Sequence, residues 1–128
     1  MSIERVFFEE EPHVYADVVK VDNRTLYLSG LVSCDPESGE IVEGNIAVQT
    51  KYCLLQLKDI LEKYGSDMDH VVRIDVMLSD FSERDEMNAE YIRHFKQDAI
   101  PARVCYGVTG LSDGLKIEMT AIAVTKEI

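Results

Sequence analysis

Between Asn45 and Gly65 the apolar residues recur three and four positions apart, and this stretch constrains the rest of the chain more than any other. Ile46, Cys53, Leu54, Leu57, Ile60, Leu61 and Tyr64 fall on one side of a helix, while Lys51, Lys58, Asp59, Glu62 and Lys63 fall on the other. Asn45 offers a side-chain oxygen for the N-cap, and Gly65 is free to end the helix. A helix with one apolar stripe needs a second layer to lie on.

The flanking segments supply a sheet. Val14 to Val21 and Thr25 to Val32 read as strands joined by an Asp22-Asn23 turn, and Val71 to Leu78 reads as a third. In the third, Val72, Ile74, Val76 and Leu78 are expected on one face, with Val71, Arg73, Asp75 and Met77 on the other. Ser82, with Asp85 three residues on, opens a second helix in the manner of a capping box, and Met87, Tyr91 and Phe95 form its inner face. Pro101 releases the chain into two further strands, Arg103 to Val108 and Leu115 to Val124. The turn at Ser112-Asp113-Gly114 would let those two pair as a hairpin. The order β-β-α-β-α-β-β predicts an α+β fold: a mixed sheet with two helices on one face. The other face, uncovered and partly apolar, is expected to bury itself against another copy of the chain.

Composition narrows the function. The 128 residues fit a single domain, 1–128, and a hydrophobic content of 46% is enough for a core without cross-links. Thirteen basic residues against 24 acidic ones give a net charge of −11, which repels phosphate backbones, so nucleic acid is a poor partner. Charges interrupt every apolar run well before the ~18 residues of a membrane span. Met1-Ser2-Ile3-Glu4-Arg5 lacks the basic start and apolar stretch of a secretory signal, so a cytoplasmic protein is expected. The cysteines Cys34, Cys53 and Cys105 are odd in number and far apart, as expected of reduced thiols rather than a disulfide framework or zinc site.

Two residues attract chemical attention. Arg103 stands at the start of a strand, where a guanidinium can grip a carboxylate with two parallel hydrogen bonds. Most arginines so placed are solvated or pair with a surface acid, so its position alone leaves both readings open. Glu118 lies mid-strand beside Lys116 and Thr120, compatible with a solvent-facing residue or with a carboxylate that positions water and moves protons. His13, His70 and His94 share no metal-ligand spacing, and Asp35, Glu37 and Glu43 lack that of a calcium loop. Cys105 has no basic neighbour in sequence to make it a nucleophile.

Several stretches resemble the RidA/YjgF family, whose members are also described as endoribonucleases or translation inhibitors. They are Leu28-Ser29-Gly30, Asp35-Pro36-Glu37-Ser38-Gly39-Glu40-Ile41-Val42, Gln49-Thr50, Met87-Asn88-Ala89-Glu90-Tyr91, Pro101-Ala102-Arg103-Val104-Cys105 and Ile117-Glu118-Met119-Thr120-Ala121-Ile122-Ala123, in order from about residue 14 onward. The resemblance implies a chorismate-mutase-like fold and a homotrimer with its sheets packed inward and ligand sites in the clefts between subunits. It implies hydrolysis of 2-imino acids, such as 2-iminopropanoate and 2-iminobutanoate, to 2-oxo acids and ammonia, with no metal or organic cofactor. In that frame Arg103 clamps the substrate carboxylate, Glu118 orients water and moves protons, and the backbone at Cys105 helps hold substrate or water. Ser29, Gly30 and Asn88 match residues that line the cleft, and Tyr15 matches a cleft tyrosine if one extra residue is allowed near Asp22-Asn23. The chain departs from the pattern at Gln56, where many relatives have Asn, and at Thr120, where a second Glu is frequent. At Leu31 it replaces a small or polar residue, and Leu31 is expected to reshape the cleft. Two alternatives stand beside the deaminase: a member of the same fold that binds carboxylate ligands or other proteins without turnover, and a ribonuclease or translation inhibitor, which the acidic charge disfavours.

Overall fold

The computed structural model describes residues 1–126. Six strands form one sheet: β1 (Ile3–Val6), β2 (Val18–Val21), β3 (Thr25–Leu31), β4 (Val71–Leu78), β5 (Ala102–Gly107) and β6 (Ile117–Val124). Their spatial order is β1-β2-β3-β6-β4-β5, antiparallel throughout except for the parallel pair β4 and β5. Helices α1 (Ile46–Lys63) and α2 (Arg84–Tyr91) pack against each other and cover one face of this sheet. The α+β reading with a mixed sheet therefore holds.

The core lies between helices and sheet because the strand residues alternate. Along β6, Ile117, Met119, Ala121 and Ala123 are buried and the residues between them are half-buried. They meet Leu54, Leu57 and Leu61 of α1 and Met87, Tyr91 and Phe95 from α2 and the turn after it. The caps of α1 are those expected. The Asn45 side chain accepts from the Val48 N–H at 2.9 Å, and Gly65, at φ 87°, lets the Ser66 N–H reach the Leu61 carbonyl at 2.8 Å.

Four local expectations need correction. The first strand is shorter than Val14 to Val21, because the chain before Val18 is committed elsewhere: the Asp17 carboxylate accepts from the Phe8 N–H at 2.8 Å. The added edge strand β1 has an exposed pattern with no alternation to betray it. A bulge between Val71 and Arg73 turns Val72 outward, 46% exposed, and buries Val71 in its place. The second helix has no side-chain cap of its own: Asp80, two residues before Ser82, caps the 3-10 turn that leads into it and accepts from the Ser82 N–H at 3.0 Å. Hydrogen bonds to Ser82 hold the Asp80 carboxyl below its ordinary pKa.

The largest correction concerns the last two strands. They do not form a hairpin, since β4 lies between them and pairs with both. The segment between β5 and β6 carries the chain across β4, with Asp113 at φ 58° in its turn.

Candidate functional site

Arg103 belongs to the helix-covered side. It is aligned with Ile74, which is fully buried beneath the helices, so its side chain leaves the edge strand toward α2. Its guanidinium carbon lies 4.7 Å from the centroid of the Tyr91 ring, and Nη1 lies 4.0 Å from the Met87 sulfur. Stacking over an aromatic face holds a guanidinium flat while leaving its in-plane donors free. Among the described residues no carboxylate forms an ion pair with it. It opens into a groove of about 490 Å³ between α2 and the start of β5, shared with Asn88, Ala89, Ile92 and Ile100. The Asn88 Oδ1 and the Tyr91 hydroxyl are buried there without a hydrogen-bond partner. Burial pushes the Tyr91 phenol up to about 12, against the pull of the Arg103 charge. Cys105, aligned with Val76, lies on the same side and packs partly against the core.

Glu118 belongs to the opposite side. Its neighbours Ile117 and Met119 are fully buried, so it projects from the face the helices leave open, in line with Met77 and Tyr106. The β3–β6 pairing is irregular between Leu28 and Leu31, which brings Gly30 against this carboxylate. A Cβ on Gly30 would collide with Glu118 Oε2 and lie 3.0 Å from its Cδ. Glycine here answers to close approach rather than to backbone conformation. Ser29 anchors the preceding chain: its Oγ donates to the Ala16 carbonyl at 2.6 Å and its N–H to the Asp17 carbonyl at 3.0 Å. That holds the segment of Tyr15, itself 61% exposed, beside β3. At the foot of β6 the buried Gln49 accepts from the Lys116 N–H at 2.8 Å and donates to the Gly44 carbonyl at 2.9 Å, fixing the strand two residues before Glu118.

The structure thus gathers the expected residues into two sets. Arg103, Asn88 and Cys105 lie together, and Glu118, Gly30, Ser29 and the Tyr15 segment lie together. The sets face opposite ways. Arg103 and Glu118 are separated by β4 and by three residues of register, about 14 Å between Cα atoms. No single small molecule touches both within one chain.

The departures from the family pattern resolve differently. Leu31 does not reshape a cleft, because it is 4% exposed, aligned with Met119 and part of the core. Thr120 lies on the open face beside Asp75, in a shallow hollow with Arg73. Gln56 buries its Oε1 unpartnered near the Cys34–Gly39 loop. Tyr91 was legible only as a core residue, yet its ring is the platform for Arg103; its three-residue spacing from Asn88 is the signal that places both on one helical face. Cys53, fully buried, contacts the Leu31 carbonyl at 3.6 Å, and burial pushes its thiol pKa up, with the Glu118 charge adding to the effect. Among the described residues no three His, Cys, Asp or Glu side chains are grouped to hold a metal, and no helix is long and apolar enough to cross a membrane.

Comparison with known proteins agrees with this frame. The family model Ribonuc_L-PSP, described as Endoribonuclease L-PSP, matches residues 9–125. The 2-iminobutanoate/2-iminopropanoate deaminase of Mus musculus is 40% identical over 110 residues, covering 86% of this chain and 80% of that one. A RutC family protein of Pyrococcus abyssi is 38% identical over 126 residues, covering 96% and 98%. Among solved structures, RidA from an Antarctic Psychrobacter superposes with a TM-score of 0.79 at 30% identity, covering 90% of this chain and 91% of the other.

Proposed function

Because the chain belongs to the Ribonuc_L-PSP family, the RidA/YjgF proteins, we propose that it hydrolyses 2-imino acids to 2-oxo acids and ammonia at sites shared between two copies of itself. The observation that carries this reading is the unpaired Arg103. In a chain with 24 acidic residues, a partly buried guanidinium stacked on Tyr91 and free of any carboxylate among the described residues is set to receive an anion from outside. The mammalian relatives named as imine deaminases act on substrates that carry such a carboxylate.

The chemistry asks for little. Water adds to the electrophilic C2 of the protonated imine, the C2–N bond then breaks, and the carbonyl forms as ammonia leaves. Arg103 holds the carboxylate, Asn88 lines the cleft beside it, and the backbone at Cys105 completes the cradle. Glu118 of a neighbouring copy orients the water and moves the proton to the departing nitrogen, with Ser29, Gly30 and Tyr15 shaping its side. Metal and organic cofactors have no step to perform in this scheme. The opposed placement of the two sets supports an assembly in which one copy's groove meets another's open face. We take this to be a homotrimer, in the cytoplasm.

The test is a coupled assay. Imines are generated in situ by an amino-acid oxidase or threonine dehydratase, and 2-oxo-acid release is followed with wild type and Arg103→Ala. Acceleration by wild type that vanishes in the variant is expected. A folded oligomer that accelerates nothing yet binds 2-oxo acids through Arg103 would instead be a carboxylate-binding protein. The Arg103 groove favours that second reading in one respect: it exists within a single chain and does not contain Glu118.

A further inference from the structure

Residues 7–17 leave the sheet between β1 and β2, and Asp17 closes the base of this loop twice over. Its N–H donates to the Val6 carbonyl at 2.8 Å, and its carboxylate accepts from the Phe8 N–H, also at 2.8 Å. A carboxylate on a backbone N–H makes a charge-assisted bond, stronger than one between neutral groups. Inside the loop the Phe7 and His13 rings stack, 3.9 Å between centroids and 20° from parallel. None of residues 7–15 is buried in its own chain, so core packing does not hold them. The return of the loop is fastened to Ser29, which donates to the carbonyls of Ala16 and Asp17, and the next residue, Gly30, lies against Glu118. Tyr15 stands two residues before Asp17 and lines with it, beside Pro12 and His13, a hollow of about 110 Å³. The bond from Asp17 to Phe8 therefore completes a ring of chain that carries Tyr15, and it does so without help from a second copy.

We propose that Asp17 is a positioning residue: its carboxylate latches the loop 8–16 and so presents Tyr15, already shaped, on the Glu118 side of the site. This rests on the shared-site reading for the reaction, while the latch itself lies within one chain. A loop ordered in advance spares the assembled site the cost of ordering it. Without the carboxylate the Phe8 N–H turns to water, the ring of chain opens at its base, and Tyr15 is tethered through Ser29 alone. The bond is exposed to solvent, so its loss raises the open population about tenfold. Asparagine keeps an acceptor oxygen at the same place and preserves most of the closure.

Glu9, Glu10 and Glu11 make the loop a target for a glutamate-specific protease, which reads its opening without reference to activity. Native oligomers of wild type, Asp17→Ala and Asp17→Asn are digested, and the cut sites are identified by mass spectrometry. Cutting at residues 9–11 should be about tenfold faster in Asp17→Ala and within about twofold of wild type in Asp17→Asn, with cutting at Glu62 in α1 unchanged. In the imine assay Asp17→Ala and Tyr15→Ala should each lower kcat/KM about five- to tenfold, and Asp17→Asn should restore most of the loss. The double variant should be no worse than Tyr15→Ala alone, because the latch acts through that ring. Equal cutting at residues 9–11 in all three proteins overturns the latch whatever the assay shows, as does a matching rise at Glu62, which would mean that the whole chain opens. Faster cutting at the loop with losses that multiply in the double variant overturns the role through Tyr15. Wild type that turns over no imine removes the deaminase reading, and the same cycle is then read from calorimetric 2-oxobutanoate affinity, where non-additivity upholds the role of Asp17 and its absence overturns it.

Discussion

The two faces of the sheet handle polar residues in opposite ways. On the helix side the charge is sheltered: Arg103 rests on the Tyr91 ring, with Asn88 and the Tyr91 hydroxyl buried and unpartnered around it. On the open side Glu118 stands in a shallow setting, held in position by the missing side chain of Gly30 and by the Gln49 contact at the foot of its strand. Placed on one face, a guanidinium and a carboxylate would pair and neutralise each other. Separated by the thickness of the sheet, each stays available, and under the proposed reading the chemistry waits until a second chain brings them together.

The sharpest way to break this comparison is to split the two sets between chains. Arg103→Ala and Glu118→Ala should each lower kcat/KM by about 10²- to 10³-fold. Refolded together at equal amounts, the two dead variants should recover about one quarter of wild-type activity, because one interface in four then pairs an intact Arg103 with an intact Glu118. No recovery in a mixed oligomer verified by mass would place the site within one chain and refute the shared arrangement. Gly30→Ala tests the open side alone. The added methyl must push the Glu118 carboxylate aside, and kcat should fall at least about tenfold while the circular dichroism spectrum is retained.

Stability gives a gentler contrast. Ile74→Ala, on the covered face, should cost about 2–4 kcal/mol in chemical denaturation at any protein concentration. Val104→Ala, 42% exposed on the open face, should cost under about 1 kcal/mol in the isolated chain and more as concentration rises, if copies bury that face. The smallest effect is a titration. The Tyr91 phenol sits at about 12, so the folded protein keeps that proton across the range in which an unfolded tyrosine, near 10, loses it. Its contribution to stability is complete below pH 10 and is lost as pH rises through 12. In an ultraviolet titration Tyr91→Phe should remove a phenol that ionises near 12, and an unchanged curve would mean the hydroxyl is wet.

Elements with strong periodicity were readable from the sequence. The helix from Asn45 to Gly65 and the strand Val71 to Leu78 both lie where the apolar spacing puts them, since the signal and the structure share one cause. The residues of both candidate sets were also legible, by resemblance. What sequence could not supply was which face each side chain takes. That depends on β4 inserting between β5 and β6, on the bulge that turns Val72 outward, and on the irregular β3–β6 pairing that sends Leu31 into the core. Each is a long-range pairing, and a short turn such as Ser112-Asp113-Gly114 argues locally for a hairpin that the rest of the sheet overrules. Strand β1 and the Asp80 cap escaped for the opposite reason, being too short and too exposed to leave a pattern.

Cys53 has a use that its chemistry does not suggest. Its thiol is shut between α1 and β3 and disinclined to ionise, so a thiol-specific alkylating reagent can reach it only when that helix lifts from the sheet. The other two thiols are partly exposed and would react first. The slow third alkylation, followed by mass spectrometry under native conditions, is therefore a built-in clock for the opening of the layer that separates the two faces, and it needs no engineered label.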